Sequence, residues 1–537
     1  MKFNPNKTSI IVILLCLVIL FVCFYLYDTF SVPTQTTQGW QISTPEEQGM
    51  RSELLVEMME TIRNNSYDID SVIIVRNGQM VLEAYFYPYS KDLKHVLHSC
   101  TKSVMSALIG IALEKGYIKE IDQKIIDFFP DSDFANMDDR KKSMTLRHLL
   151  MMASGLKCRD SYRYRWLGLI EMRNSSDWAQ YVLDLPMEYP PGTRFEYCNG
   201  TSYLLSVIIQ NTTGMRTAAF AQKFLFKPLD ITDIEWATSP QGVDIGYGEL
   251  WLKPSDMAKL GLLYLNNGRW NDRQIVPGAW VAESTRGQID ADPVDQYGYQ
   301  WWVDASGYYA AAGHNGQFIF VVPDKNMVVV FTSELHGYNF FIPQRMLEDY
   351  ILPAAASADP LPRDKAARER LNELISSIAR VETYTWTGQP DGTAKEGLYL
   401  RRPSPGFSFQ YPLGSKKAKI DAPGKVMRMR TPGNVYFSAS VVDIPEGLKL
   451  EDFGPVGYAS QLRQVGSDVK VILNRQITLK CGSKAYQTKI EWLWNHYLPI
   501  TTSLVSAYKE GRCVFVCVHP WKNHDRVEPI VTSLSLR

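Results

Sequence analysis

Strand-like segments stand at both ends of residues 71–332 and helix-like segments fill the space between them, a separation that restricts the possible folds more than any other feature of the chain. Ser71-Val72-Ile73-Ile74-Val75-Arg76 is apolar and β-branched, Asn77-Gly78 supplies the two positive-φ positions of a type I′ turn, and Gln79–Phe86 completes a hairpin. Gln300–Val303, Tyr308–Ala312, Gln317–Val322 and Met327–Thr332 read as further strands, with Pro323–Asn326 as the turn between the last two. Residues 99–115 set Val104, Leu108, Ile111 and Ala112 on one helical face and place Gly116 where a C-cap belongs. A Gly-rich loop then runs from Ser239 into a helical segment around Asp256. An early hairpin, a helical middle and late strands predict an α+β architecture in which both ends of the stretch build one antiparallel sheet covered by helices.

At 537 residues the chain exceeds one ordinary domain. Residues 1–30 contain Ser9–Tyr27, an uncharged apolar run of 19 residues, enough to span ~30 Å of hydrocarbon as a helix. Lys2 and Lys7 precede it and Asp28 follows, so the positive-inside bias predicts a single-pass anchor with a cytoplasmic N-terminus and everything else outside. A cleaved signal peptide is the competing reading, but no small-residue cleavage site stands between Phe21 and Phe30. Residues 31–45 read as a polar tether, and residues 45–352 form the catalytic candidate. Beyond an Ala- and Pro-rich boundary at residues 354–362 comes an amphipathic helix with Leu371, Leu374, Ile375 and Ile378 at helical spacing. Residues 383–537 turn to short β-like runs and predict a separate, smaller, strand-rich α+β domain of unknown partner, similar in its opening and ending to small PsbP-like domains. The 57 basic and 57 acidic residues cancel without forming a basic block, which argues against a nucleic-acid partner. Eight cysteines do not make a disulfide scaffold in a chain this long. Cys513 and Cys517 share a strand-like run and cannot bridge each other, either could pair with Cys481, and free, buried thiols are the default reading.

Three short motifs carry the chemistry. Ser99-Cys100-Thr101-Lys102 opens the first helical stretch, so Ser99 and Lys102 share a face and the amine can take the hydroxyl proton if burial lowers its pKa. Alone, the same text describes a capping serine with a solvated lysine. Tyr197-Cys198-Asn199 points a phenol and an amide the same way in extended backbone. His314-Asn315-Gly316 is a glycine-containing turn before a strand, and the absent Cβ lets a substrate come close. His95 and His98 have no carboxylate or thiolate cluster beside them and read as structural, not as metal ligands. Cys100 points away from Ser99 around the helix and reads as packing.

In order and context these motifs resemble the serine β-lactamase and penicillin-binding protein superfamily, in particular its class C-like branch of esterases, peptidases and amide hydrolases. Pro190-Pro191-Gly192, Leu146–Leu150 followed by Ser154-Gly155-Leu156, and Tyr297–Trp302 also match that family's text, so the resemblance covers roughly residues 45–350. It implies a β-lactamase/transpeptidase-like fold and a covalent acyl-enzyme, with Ser99 as nucleophile and Lys102 and Tyr197 moving protons. Asn199 would hold the substrate amide or the lysine, and His314, Gly316 and Gln317 would line the substrate site. The backbone N–H groups of Ser99 and Gln317 would hold the oxyanion. No cofactor or metal is implied. Histidine in place of a permanent cation tilts the substrate towards an ester, small amide or peptide and away from antibiotics. The alternative is a non-catalytic, membrane-bound binding protein that keeps the fold.

Overall fold

Val72, Ile73, Ile74 and Val75 are all buried, and an unbroken apolar run of this kind suits a strand covered on both faces. It forms β1 (Ile69–Arg76), which turns back through Asn77 and Gly78, both at positive φ, into β2 (Gln79–Tyr85). The computed structural model describes residues 36–379, apart from residues 38, 66, 87–88, 161–163, 165, 293–294 and 336, together with strand backbone between residues 381 and 536. The apolar run Ser9–Tyr27 and Cys481 lie outside the described residues. Among the described residues, no helix is long and apolar enough to cross a membrane.

The late strands are β3 (Ile289–Asp292), β4 (Asp295–Tyr297), β5 (Trp302–Asp304), β6 (Tyr309–Gly313), β7 (Gln317–Val322) and β8 (Met327–Ser333). They join the hairpin in one antiparallel sheet of order β3-β4-β5-β6-β7-β8-β1-β2. β8 docks on β1 with Met327 opposite Arg76 and Val330 opposite Ile73, so both ends of the stretch do build one sheet.

Alternate side chains feed two cores. Val72, Ile74, Phe318, Phe320, Val329 and Phe331 pack with α1 (Ser52–Asn64), whose Leu55, Met58, Met59 and Ile62 are buried. A later helix, Lys365–Ile378, adds Leu371 and Leu374 to that same core and pairs Arg370 with Glu60 of α1 at 2.8 Å.

Ile73, Val75, Ile319, Val321, Val328 and Val330 face the helical middle. There, α2 (Thr101–Glu114) is buried all round from Thr101 to Ala112, not only along the expected stripe. The reason is its position between the sheet and α4 (Asn199–Thr213), with α3 (Leu167–Asn174) at the rim. α5 (Pro254–Leu265) approaches β8 so closely that a Cβ on Gly261 would meet Val328 at 2.5 Å.

Beyond residue 380 the described residues are all strand. Val381–Trp386, Phe407–Pro412 and Ser535–Leu536 form a three-stranded sheet, and a seven-stranded sheet runs from Lys416–Lys417 to Gly466–Thr478. The expected Cys513–Cys517 strand lies within Arg512–His519.

Candidate active site

Ser99 sits in a tight 3-10 turn, His98–Cys100, that leads into α2. A short antiparallel sheet of His95–Val96, Leu250–Leu252 and Glu235–Trp236 fixes the approach, and the Leu97 N–H donates to Leu250 O at 2.8 Å. His98 takes positive φ, which turns the chain sharply just before Ser99. Residues three apart eclipse in such a turn, so Lys102 stands over Ser99. Its Nζ lies 3.0 Å from Ser99 Oγ, 2.9 Å from Asn199 Oδ1 and 2.8 Å from the Tyr247 carbonyl. Lys102 is 1% exposed, and burial, partly offset by the Asp160 charge, brings its ammonium down to about 7.

Tyr197 OH donates to Ser99 Oγ at 2.8 Å. Burial pushes this phenol well above its ordinary range, so it stays protonated at neutral pH. Asn199 is the first residue of α4, and its buried amide is committed to Lys102. The structure therefore gathers Ser99, Lys102, Tyr197 and Asn199 around one hydroxyl.

The His314-Asn315-Gly316 turn joins β6 to β7, with Asn315 and Gly316 both at positive φ. Its residues divide in role. The His314 ring is exposed and meets His98 edge-on at 5.7 Å and Trp166 at 6.5 Å. Gly316 turns its Cβ-less side to Ser333, whose Oγ would lie 2.5 Å from an added Cβ. The glycine pressed on the Ser99 turn is instead Gly313, where a Cβ would stand 2.3 Å from Leu97 O and 3.2 Å from Ser99 N. Gln317 is fully buried: its Nε2 donates to His314 O and Ser333 O, and its carbonyl accepts from Cys100 Sγ at 3.4 Å.

Several functional neighbours escaped the sequence reading. Tyr247 contributes a backbone carbonyl, which no side-chain pattern announces. Two aromatic residues were in view from the sequence: Trp302 ends the family-like run Tyr297–Trp302, and Trp166 ends the stretch Tyr162–Trp166, which reads equally as a pocket wall or a packed loop. Trp302 stacks on Tyr197 at 6.4 Å and Trp166 meets it edge-on at 6.3 Å, giving the mouth aromatic walls. Asp160, buried, accepts the Asn199 N–H at 2.7 Å. Cys158 and Cys198 form a disulfide with Cα atoms 5.6 Å apart, correcting the free-thiol reading for both. Their 40-residue separation carries no motif, and only the fold brings that loop against the start of α4. Cys100 is free and buried, as expected. His95 is structural, its Nε2 2.7 Å from Asp70, whereas His98 belongs to the mouth. Among the described residues, no group of three or more His, Cys, Asp or Glu could hold a metal ion.

The beta-lactamase family model matches residues 63–346. A 6-aminohexanoate-dimer hydrolase from Paenarthrobacter ureafaciens is 21% identical over 324 residues, covering 56% of this chain and 81% of that protein. An uncharacterised protein from Alkalihalophilus pseudofirmus is 23% identical over 337 residues, covering 53% of this chain and 91% of the other. A solved structure from Bacillus anthracis, provisionally named 6-aminohexanoate-dimer hydrolase, has a TM-score of 0.51 at 20% identity, covering 62% of this chain and 90% of that one. At that identity the likeness is one of fold.

Proposed function

The chain belongs to the beta-lactamase family, and on that premise we propose that it is a membrane-anchored serine hydrolase working through a covalent acyl-enzyme on an ester, small amide or peptide. One observation carries the catalytic reading. Asn199 Oδ1 and the Tyr247 carbonyl can only accept, so each takes one N–H of Lys102. A neutral amine then has its lone pair left for the Ser99 hydroxyl, and burial makes the neutral form accessible near pH 7. A protein that only binds its ligand has no use for that poise.

In the reaction, Lys102 takes the Ser99 proton while Oγ forms a bond to the substrate carbonyl carbon. The oxyanion is held by the Ser99 N–H and a second backbone N–H from the Gly313–Gln317 segment, in water-poor surroundings where such donors typically contribute ~3 kcal/mol. Collapse breaks the bond to the leaving group, which takes a proton through Tyr197 while Lys102 restores the phenol. Water attacks the acyl-enzyme by the same route and frees Ser99.

The walls support the substrate class. His98, Trp166, Tyr197, Trp302 and His314 offer ring surfaces, and histidine is not a permanent cation at neutral pH. The amide specificity named for the Paenarthrobacter relative favours a small linear amide among the candidates. Ser9–Tyr27 supports the anchor, and the Cys158–Cys198 disulfide favours an oxidising compartment for the catalytic domain.

The test is Ser99→Ala together with mass mapping of a fluorophosphonate adduct. Loss of hydrolysis and a label on Ser99 are expected, and retained turnover overturns the assignment. A panel of nitrocefin, a p-nitrophenyl ester, a linear amide and a D-amino-acid peptide ranks the substrates, and fast nitrocefin turnover would sink the tilt away from β-lactams.

A further inference from the structure

Asp160 is 2% exposed, and three features clamp it. Cys158, two residues earlier, is bonded to Cys198. The start of α3 closes over it, where a Cβ on Gly168 would stand 1.7 Å from Cys158 O and 2.7 Å from Asp160 Oδ1. Asp160 Oδ2 accepts the backbone N–H of Asn199. Cys198 holds the N-cap position of α4 without a side-chain cap of its own, so Asp160 supplies from another loop the acceptor and the negative charge that a helix start favours. Its second oxygen, Oδ1, lies buried beneath Gly168, and the Leu169 N–H and the Asn199 side chain also bear on the carboxyl. A buried carboxylate so held can both cap a helix start and act through its charge on the lysine nearby.

We infer that Asp160 is a positioning residue of this site: it fixes Asn199 through the backbone and, through its charge, biases Lys102 towards the protonated state. The inference rests on the Ser99–Lys102 reading above. The chain of contacts is short, from Asp160 to the Asn199 N–H, from the Asn199 amide to Lys102 Nζ, and from there to Ser99 Oγ.

The other groups facing Lys102 do not compete for this role. Burial pushes Cys100, Tyr197 and Tyr247 upward, so all three stay neutral from acid to neutral pH. Behind Tyr247, Arg173 donates to its hydroxyl and pairs with Glu249 at 2.9 Å, so those two charges largely cancel. Burial raises the Asp160 carboxyl to about 6, with the Asn199 N–H and Lys102 opposing, so it is anionic where Lys102 works.

The test is the pH profile of kcat/KM for Asp160→Asn on a p-nitrophenyl ester. Removing a nearby anion makes Lys102 easier to deprotonate, so the acid limb should move to lower pH by ~1 unit. Asp160→Ser, smaller and likewise uncharged, gives the same reading should the Asn variant not fold. Capping alone would change the rate and melting temperature without moving the limb. An unmoved limb, or one moved to higher pH, overturns the inference. An inactive Ser99→Ala beside an unmoved limb removes this inference alone, whereas an active Ser99→Ala removes the function beneath it.

Discussion

At the scale of single residues, Lys102 predicts a measurable pH dependence. With its ammonium brought down to about 7, kcat/KM should rise through that pH as the amine becomes neutral. Tyr197, pushed upward, adds no ionisation on the acid side. Lys102→Ala should lower kcat/KM by ~100- to 10,000-fold, the range of a lost general base. A flat profile from pH 5 to 8 would contradict this assignment.

Asp70 and His95 set a different test, of stability. Both His95 ring nitrogens face acceptors, Asp70 at 2.7 Å and the Val96 carbonyl at 3.1 Å, an arrangement that suits imidazolium. Burial alone would lower the His95 pKa, but the Asp70 bond and charge, with Glu334 adding, carry it above its ordinary value. A raised His95 pKa means that its contribution fades as pH rises through the folded value, and burial also raises the Asp70 carboxyl, to about 6, so the charged pair is complete only between the two. Asp70→Asn should cost ~3 kcal/mol in urea unfolding at pH 7 and change how stability varies with pH across that window.

Elements decide how these residues meet. The disulfide closes a 40-residue loop and ends one residue before Asn199, so it ties the Asp160 segment to the start of α4. Replacing both cysteines by serine should lower stability by ~3 kcal/mol, read by denaturant melts, and reductant should lower wild-type activity in parallel. Gly313→Ala should fold yet lose turnover, because its methyl would press on Leu97 O and Ser99 N at a strand end that touches the Ser99 turn.

Legibility follows the same lines. Ser99 with Lys102, and Tyr197 with Asn199, could be read because spacings of three and two convert directly into shared direction. The β1–β2 hairpin was legible in Asn77-Gly78, and the buried β1 in its unbroken apolar run. Asp160 and Tyr247 were not, since one acts from an irregular loop and the other through a carbonyl that every residue carries. Gly313 and Gly316 look alike in sequence, and only packing assigns one to Ser99 and the other to Ser333.

For the whole molecule, the question is what the hydrolase needs from the rest of the chain. Every strand of the eight-stranded sheet lies between Ile69 and Ser333, and both hydrophobic clusters draw their residues from Trp40 to Ile378. The helix Lys365–Ile378 belongs to the second cluster, so a cut before it would strip apolar cover from α1, whereas, among the described residues, a cut after residue 379 removes no member of either core. Deleting residues 383–537 should therefore leave Ser99-dependent hydrolysis of a small ester unchanged, while ending the chain at residue 362 should expose Leu55 and Met58 and destabilise the fold. Steady-state kinetics and thermal melts on the two truncations check this. If the longer truncation is folded but inactive, the C-terminal strands take part in catalysis. If it keeps small-ester turnover and loses larger substrates, those strands help to choose what reaches the aromatic mouth.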